Sequence, residues 1–285
     1  MSIKASADMT EGERTGRLKS GDVEIFYRAF GAPGRTPILC MHGSNYFDSY
    51  DWLGICGKLA SDRETATFDK RGFGDSTWSP SKDYSLEAQM GDMLVVLGKL
   101  GWNKPVVVGH SSSGRLSIAF AAYHPDRISA LVVVDSAMTR DEGGPRKSTG
   151  NRPTDFPTVD AAMAHFAKLK NPPRIASDRA RAERALTPID GGFRLKRDPD
   201  IENSAPQGAD AGKPMRTAWQ MLADVTCPIL VVRGLRSDRW PPDILEPIQR
   251  DYPNIQWAPV DSQHDVPYQA PDALVDAVRK FIGPL

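Results

Sequence analysis

A chain of 285 residues with 40% apolar and 25% charged side chains has the composition of a soluble globular protein and enough length for one large core. Lysine plus arginine balances aspartate plus glutamate at 36 each, and no apolar run approaches the length of a membrane span, so neither nucleic acid nor a membrane is an expected partner. The cysteines at 40, 56 and 227 are scattered without disulfide or metal spacing, and the polar first residues lack a signal-peptide core, which points to the cytoplasm.

Residues 1–15 read as a flexible tail. Next, "RLKSG" and "DVEIFYRAFG" alternate in polarity around Ser20-Gly21-Asp22, the pattern of an antiparallel hairpin. The runs "PILCMHG", "TATFDK", "PVVVG", "ISALVVVDS", "CPILVVRG" and "IQWAPV" follow, each of strand length and mostly apolar on both faces. That is the signature of strands buried in a parallel sheet. Helical patterns lie among them over Ser85–Leu100, Ser112–Tyr123, Pro242–Asp251 and Pro271–Ile282. The alternation predicts an α/β fold, a mostly parallel central sheet with helices on both faces. It is interrupted over 136–219, which holds no convincing strand, begins in a Gly/Pro/charge-rich stretch, and continues through helices at Thr158–Leu169 and Ser177–Leu186. This segment reads as an inserted lid, leaving 16–135 and 220–285 as the core.

"GHSSSG", Gly109 to Gly114, crowds three serines into a strand-to-helix turn. A nucleophilic serine needs an exposed oxygen, a base and oxyanion donors, and a tight turn that supplies the exposure needs small residues two before and two after it. Ser111 has Gly109 and Ser113 at those places; Ser112 would have His110, and Ser113 would lie inside the helix. Ser111 is therefore the candidate nucleophile, Ser112 matters for its backbone N–H, and Gly114 is placed to relieve helix–strand crowding. Other expected strand ends carry matching groups: His42-Gly43-Ser44, the turn "FDKRGFGDS", Asp238 and His264.

These four features and the Gly109–Ser113 elbow resemble the α/β-hydrolase family, from about Gly16 to the C-terminus apart from the lid. The resemblance implies a Ser111 nucleophile, a His264 base, an Asp238 orienter and an oxyanion hole from the Ser44 and Ser112 amides, with no cofactor and no metal. Asp135 is the alternative acid, because some members of the fold take it from that strand. His42 shapes the oxyanion loop, His110 points away from Ser111 into packing, Asp69 and Arg71 hold their turn, and Asp261 and Asp265 are solvated. His42, Trp240, Phe156, Phe166 and Trp219, with Phe193, are candidates for lining a substrate pocket, and a slight excess of Lys/Arg in the lid hints at an anionic substrate. The implied activity is hydrolysis of a small carboxylic ester, thioester, lactone or amide through an acyl-enzyme. Carbon–carbon bond hydrolysis, cofactor-free oxygenation or perhydrolysis, and ligand reception are the alternatives. Members that open epoxides or remove halide use an aspartate nucleophile, where this chain has Ser111. The oligomeric state stays open.

Overall fold

Strands whose every residue is apolar cannot expose either face, and this chain solves the problem with helices on both sides of one sheet. The computed structural model describes residues 12–44, 47–138, 153–168, 178–202 and 216–283. In chain order the elements are β1 Arg14–Ser20, β2 Val23–Phe30, β3 Arg35–Met41, α1 Leu53–Leu59, β4 Arg63–Phe68, α2 Leu86–Leu100, β5 Val106–His110, α3 Ser112–Tyr123 and β6 Ala130–Val134. They continue through β7 Asp155–Phe156, α4 Val159–Ala167, α5 Arg179–Arg184, β8 Leu186–Ile189, β9 Gly192–Leu195 and α6 Ala218–Leu222. The chain closes with β10 Ile229–Gly234, α7 Pro242–Asp251, β11 Gln256–Val260, α8 Val266–Gln269 and α9 Pro271–Ile282.

Eight strands form the central sheet in the order β1-β2-β4-β3-β5-β6-β10-β11. The β1–β2 hairpin and the β2–β4 pair are antiparallel and all other pairs are parallel, the expected α/β architecture. Side chains alternate between two cores with the strand period of two. Leu39, Val107, Val133 and Val231 pack on the α2–α3 side with Met93 and Phe120, while Ile38, Val108, Val132 and Val232 pack on the α1–α9 side with Ile55 and Val278. Helix α2 begins where Ser85 accepts from the Ala88 N–H and ends at Gly101 in the left-handed conformation, a common terminator. The last three residues of the predicted tail are ordered, since β1 begins at Arg14 and Glu13 is buried against Arg28 at 2.8 Å.

The described residues of 136–219 differ from the expected segment without strands. The helices are present as α4, capped by Thr158, and α5, although the predicted ends at Leu169 and Ser177 and the stretch 139–152 lie outside the described residues. Flanking them in the chain, β7 before α4 and β8 and β9 after α5, are three short strands that form an antiparallel sheet, β7-β9-β8. Pro188 and paired glycines disguise these strands, but Asp190-Gly191, with Gly191 at φ +78°, is a two-residue hairpin signal that could have found them.

Two glycines give opposite forecasts. A Cβ at Gly109 would lie 2.3 Å from Ser113 O, because β5 meets α3 there with no room for a side chain; a Cβ at Gly98, in α2, would meet nothing within 4 Å. Gly109→Ala should therefore destabilise by about 1–3 kcal/mol or more. Gly98→Ala should stabilise by about 0.4–1 kcal/mol. Urea-unfolding midpoints of the two variants test the pair.

Candidate active site

The site grows from one turn. Gly109 lets α3 start directly after β5, and Ser111 at the junction is forced to φ +54°, ψ −120°. A non-glycine residue there is strained, and the strain presents its hydroxyl at the C-terminal edge of the sheet. Ser113 is buried inside the helix, donating to His42 O at 2.5 Å, and Gly114 gives clearance, since a Cβ on it would stand 2.4 Å from Ser136 Cβ.

The Ser111 Oγ lies 3.0 Å from His264 Nε2, and His264 Nδ1 lies 2.7 Å from Asp135 Oδ2. Nδ1–H therefore donates to the carboxylate, leaving the Nε2 lone pair for the Ser111 hydroxyl. The carboxyl against the ring belongs to Asp135, and this corrects the assignment of Asp238. Asp238 stays more than half exposed, with Arg239 at 3.9 Å. The reason is register: β6 and β10 are neighbours, Val134 pairs with Val232, and Asp135 at the end of β6 adopts φ +45°, which turns its side chain under the imidazole. The β10 loop supplies donors instead of the acid, since Gly234 N–H donates to Asp135 Oδ1 at 3.0 Å and Ser237 Oγ–H to Oδ2 at 2.5 Å. Burial raises the Asp135 carboxyl above its ordinary range, and these two bonds pull it back.

His110 does more than pack. Its Nε2–H donates to His264 O at 2.8 Å, and the two rings are 5.0 Å apart, so the residue before Ser111 holds the backbone of the loop that carries His264. Nothing in the sequence pattern pairs residues 154 positions apart. His42 Nδ1–H donates to Gly43 O at 2.7 Å and its Nε2 accepts from Lys70 N–H at 3.0 Å, which shapes the loop before Ser44. That loop approaches closely: a Cβ on Gly43 would stand 3.1 Å from Ser111 Cβ. Ser112 is the first residue of α3, where an amide has no carbonyl partner within its helix. The Ser44 and Ser112 hydroxyls are 2.6 Å apart, and both accept from Lys70 Nζ, at 3.0 and 3.1 Å.

The aromatics expected to line a pocket are packed in hydrophobic cores. Phe156 and Phe166 are buried in the inserted segment's own core with Phe47 and Leu195, and Phe193 packs against it. Trp240 is buried edge-on to Trp257, and Trp219 packs beside Tyr252 against the main core. These rings satisfy packing at helix and strand spacing, a need that sequence cannot separate from lining a pocket. Asp261 is exposed as expected, but Asp265 is buried and bonded to Arg181 of α5 at 2.8 Å. Arg181 also pairs with Asp51 and stacks between Phe47 and Tyr268, so the inserted segment grips the loop beside His264. Asp69 accepts from the Ser49 and Asp75 amides, and Arg71 forms a two-pronged pair with buried Asp92, both holding the turn after β4.

Burial, with the electrostatic influence of the neighbouring His264 second, lowers His110 to about 3, from an ordinary 6.5. Between those values the unfolded chain binds a proton at this residue that the folded chain refuses. Its effect on stability is nil above about pH 6.5 and becomes increasingly unfavourable as pH falls toward about 3. At pH 5.5 the loss is on the order of 1 kcal/mol relative to pH 8. His110→Gln keeps a donor without the titration, so the difference between its urea-unfolding free energies at pH 8 and 5.5 should be smaller than the wild-type difference by about that amount.

Comparison with known proteins agrees with this architecture. The family described as the alpha/beta hydrolase fold matches residues 36–271. Epoxide hydrolase 4 of Mus musculus is 28% identical over 120 residues, 42% of this chain but 33% of that protein, so the chain matches about a third of its length. 2-(Acetamidomethylene)succinate hydrolase of Mesorhizobium japonicum is 29% identical over 231 residues, 78% of this chain and 80% of that protein. Among solved structures, an alpha/beta hydrolase from Novosphingobium aromaticivorans superposes with a TM-score of 0.78 at 22% identity, covering 96% of this chain and 99% of that one. A thioesterase domain from the curacin biosynthetic pathway gives 0.77 at 21% identity, covering 94% and 99%. With its parallel sheet, its strained Ser111 turn and a family match over most of its length, the chain belongs to the alpha/beta hydrolase fold family.

Proposed function

We propose that this protein is a cofactor-independent serine hydrolase that cleaves a small carboxylic ester, thioester, lactone or amide. The observation that carries the reading is the placement of the His264 ring between Ser111 Oγ at 3.0 Å and Asp135 Oδ2 at 2.7 Å. In this reaction Ser111 Oγ forms a bond to the carbonyl carbon as His264 Nε2 takes its proton, and the carbonyl electron pair becomes an oxyanion facing the Ser44 and Ser112 amides. Collapse breaks the bond to the leaving group, which receives the proton from His264. Water then attacks the acyl-serine, giving its proton to His264, and the second collapse returns that proton to Ser111. Asp135 holds the ring in the Nδ1–H tautomer and stabilises the imidazolium in each half of the cycle.

In this reading the described parts of 136–219 serve as a lid beside the site. The buried contact between Arg181 and Asp265, next in sequence to His264, supports that placement. Likeness to epoxide hydrolases over part of the chain does not extend the proposal to epoxides, because the strained turn presents a serine. A small molecule is the partner this reading implies.

A fluorophosphonate should label the wild type once, on Ser111, and leave Ser111→Ala unlabelled. Ser111→Ala should lower kcat on a p-nitrophenyl ester by roughly 10⁵–10⁶, and Ser112→Ala far less. Asp135→Asn should cost about 10⁴ in kcat, the scale seen when a serine protease loses its orienting carboxylate, while Asp238→Asn should stay within about tenfold of wild type. A labelled Ser111→Ala variant, or the reverse ranking of the two asparagine variants, refutes the assignment.

A further inference from the structure

The turn after β4 places a lysine where composition gives no warning of one. Lys70 is 2% exposed, its Nζ donates to Ser44 Oγ and Ser112 Oγ, and it lies 5.1 Å from the centre of the Phe73 ring. A buried ammonium is costly, and a site that keeps one has a use for its charge or for its donors. Its contacts say which. The two hydroxyls belong to the two residues whose amides face the oxyanion, and they come from different loops, one after β3 and one opening α3. The main-chain N–H of Lys70 donates to His42 Nε2, whose other nitrogen holds Gly43 O. One residue thus ties together the β4 turn, the oxyanion loop and the nucleophile turn.

We propose that Lys70 completes the oxyanion hole as a positioning residue. Its ammonium fixes the spacing of the Ser44 and Ser112 amides by gripping both side chains, and it adds a positive charge behind them. The inference rests on the serine-hydrolase reading above. A seryl Oγ lies within roughly 3–4 Å of its own amide nitrogen by covalent geometry, so the ammonium is within about 7 Å of each donor. At that range, in a water-poor site, a fixed charge favours the tetrahedral intermediate over the neutral carbonyl, and this raises kcat more than it lowers KM. The Phe73 ring, 5.1 Å away, offers a quadrupole that favours a cation at that place.

The test uses Lys70→Met, which keeps length and loses charge, and Lys70→Arg, which keeps charge and donors. Loss of a direct oxyanion donor costs about 10²–10³ in kcat, and a group acting one residue behind should cost roughly 10–100-fold. Lys70→Met should show that loss in kcat on p-nitrophenyl acetate and on the mono-p-nitrophenyl ester of succinate alike, with KM within about threefold. Its rate of labelling by a neutral fluorophosphonate should fall by a similar factor, and Lys70→Arg should recover most of both. Should Lys70→Met not fold, the Ser44→Ala/Ser112→Ala pair, which keeps the amides and removes the grip, should lose at least tenfold in labelling rate. A Lys70→Met enzyme with unchanged kcat overturns the proposal. So does a defect confined to the KM of the succinate ester, which would make the ammonium a substrate-carboxylate site, and so does an Arg variant no better than Met. Ser111→Ala run alongside separates the failures: if that variant is still labelled, the hydrolase reading falls, whereas an unlabelled Ser111→Ala with wild-type Lys70→Met refutes this inference alone.

Discussion

The carboxylate of Asp135 is the point on which the site's geometry depends. It is fully buried, its backbone is held at φ +45°, and it accepts from the Gly234 N–H, the Ser237 hydroxyl and the His264 ring. Those donors come from the β10 end and the loop after β11, so a single side chain draws three segments to one place. Left-handed backbone at an aspartate is tolerated better than at most residues, yet it remains a cost that the surrounding hydrogen bonds must offset. Of the three described non-glycine residues at positive φ, two are Asp135 and Ser111. The strain in this fold is therefore concentrated where the proposed chemistry requires exact aim.

This explains which features were legible in the amino-acid order. The parallel strands were readable because burial on two faces removes polar alternation, and Ser111 because only small neighbours permit its turn. His264 followed from its place after the last strand. The acid was not readable. Asp135 and Asp238 leave adjacent strands at the same sheet edge, and the choice between them turns on one dihedral and one hydroxyl at Ser237. Periodicity carries no record of either. A residue that tolerates left-handed backbone directly after "LVVV" was the available clue, and the pull of Asp238 came from its loop, which does serve the site through Ser237. Lys70 was obscured differently: Asp69 and Arg71 on either side are structural, so nothing in the motif distinguishes the residue between them.

The inserted segment is bound by the same logic of buried charge with fixed partners. Arg181 is almost wholly enclosed between Phe47 and Tyr268 while pairing with Asp51 and Asp265. Burial raises Asp51 to about 6, and the arginine draws it the other way. Breaking such a cluster by removing one member leaves charge stranded without its partners, which costs far more than losing a surface pair. Movement of this segment consequently means drawing the arginine out from between two rings that lie outside it, and its partner Asp265 is covalently next to His264. The positions of the segment and of His264 are coupled through that peptide.

The net charge of zero removes any general field that would draw a polyanion or polycation, but it leaves the local field free to be asymmetric. Asp135 stands at the imidazole end of the Ser111–His264 pair, and Lys70 is held at the Ser44–Ser112 end. In the proposed reaction, proton transfer from Ser111 creates positive charge on His264 and negative charge on the carbonyl oxygen, so the charge separation grows along the direction that this fixed pair already favours. His42 and His110 add nothing to oppose it: burial keeps both rings well below their ordinary pKa, and as neutral groups they serve as hydrogen-bonding struts. A site arranged this way is polarised before substrate arrives, and little reorientation remains to be made in the step where charge separates.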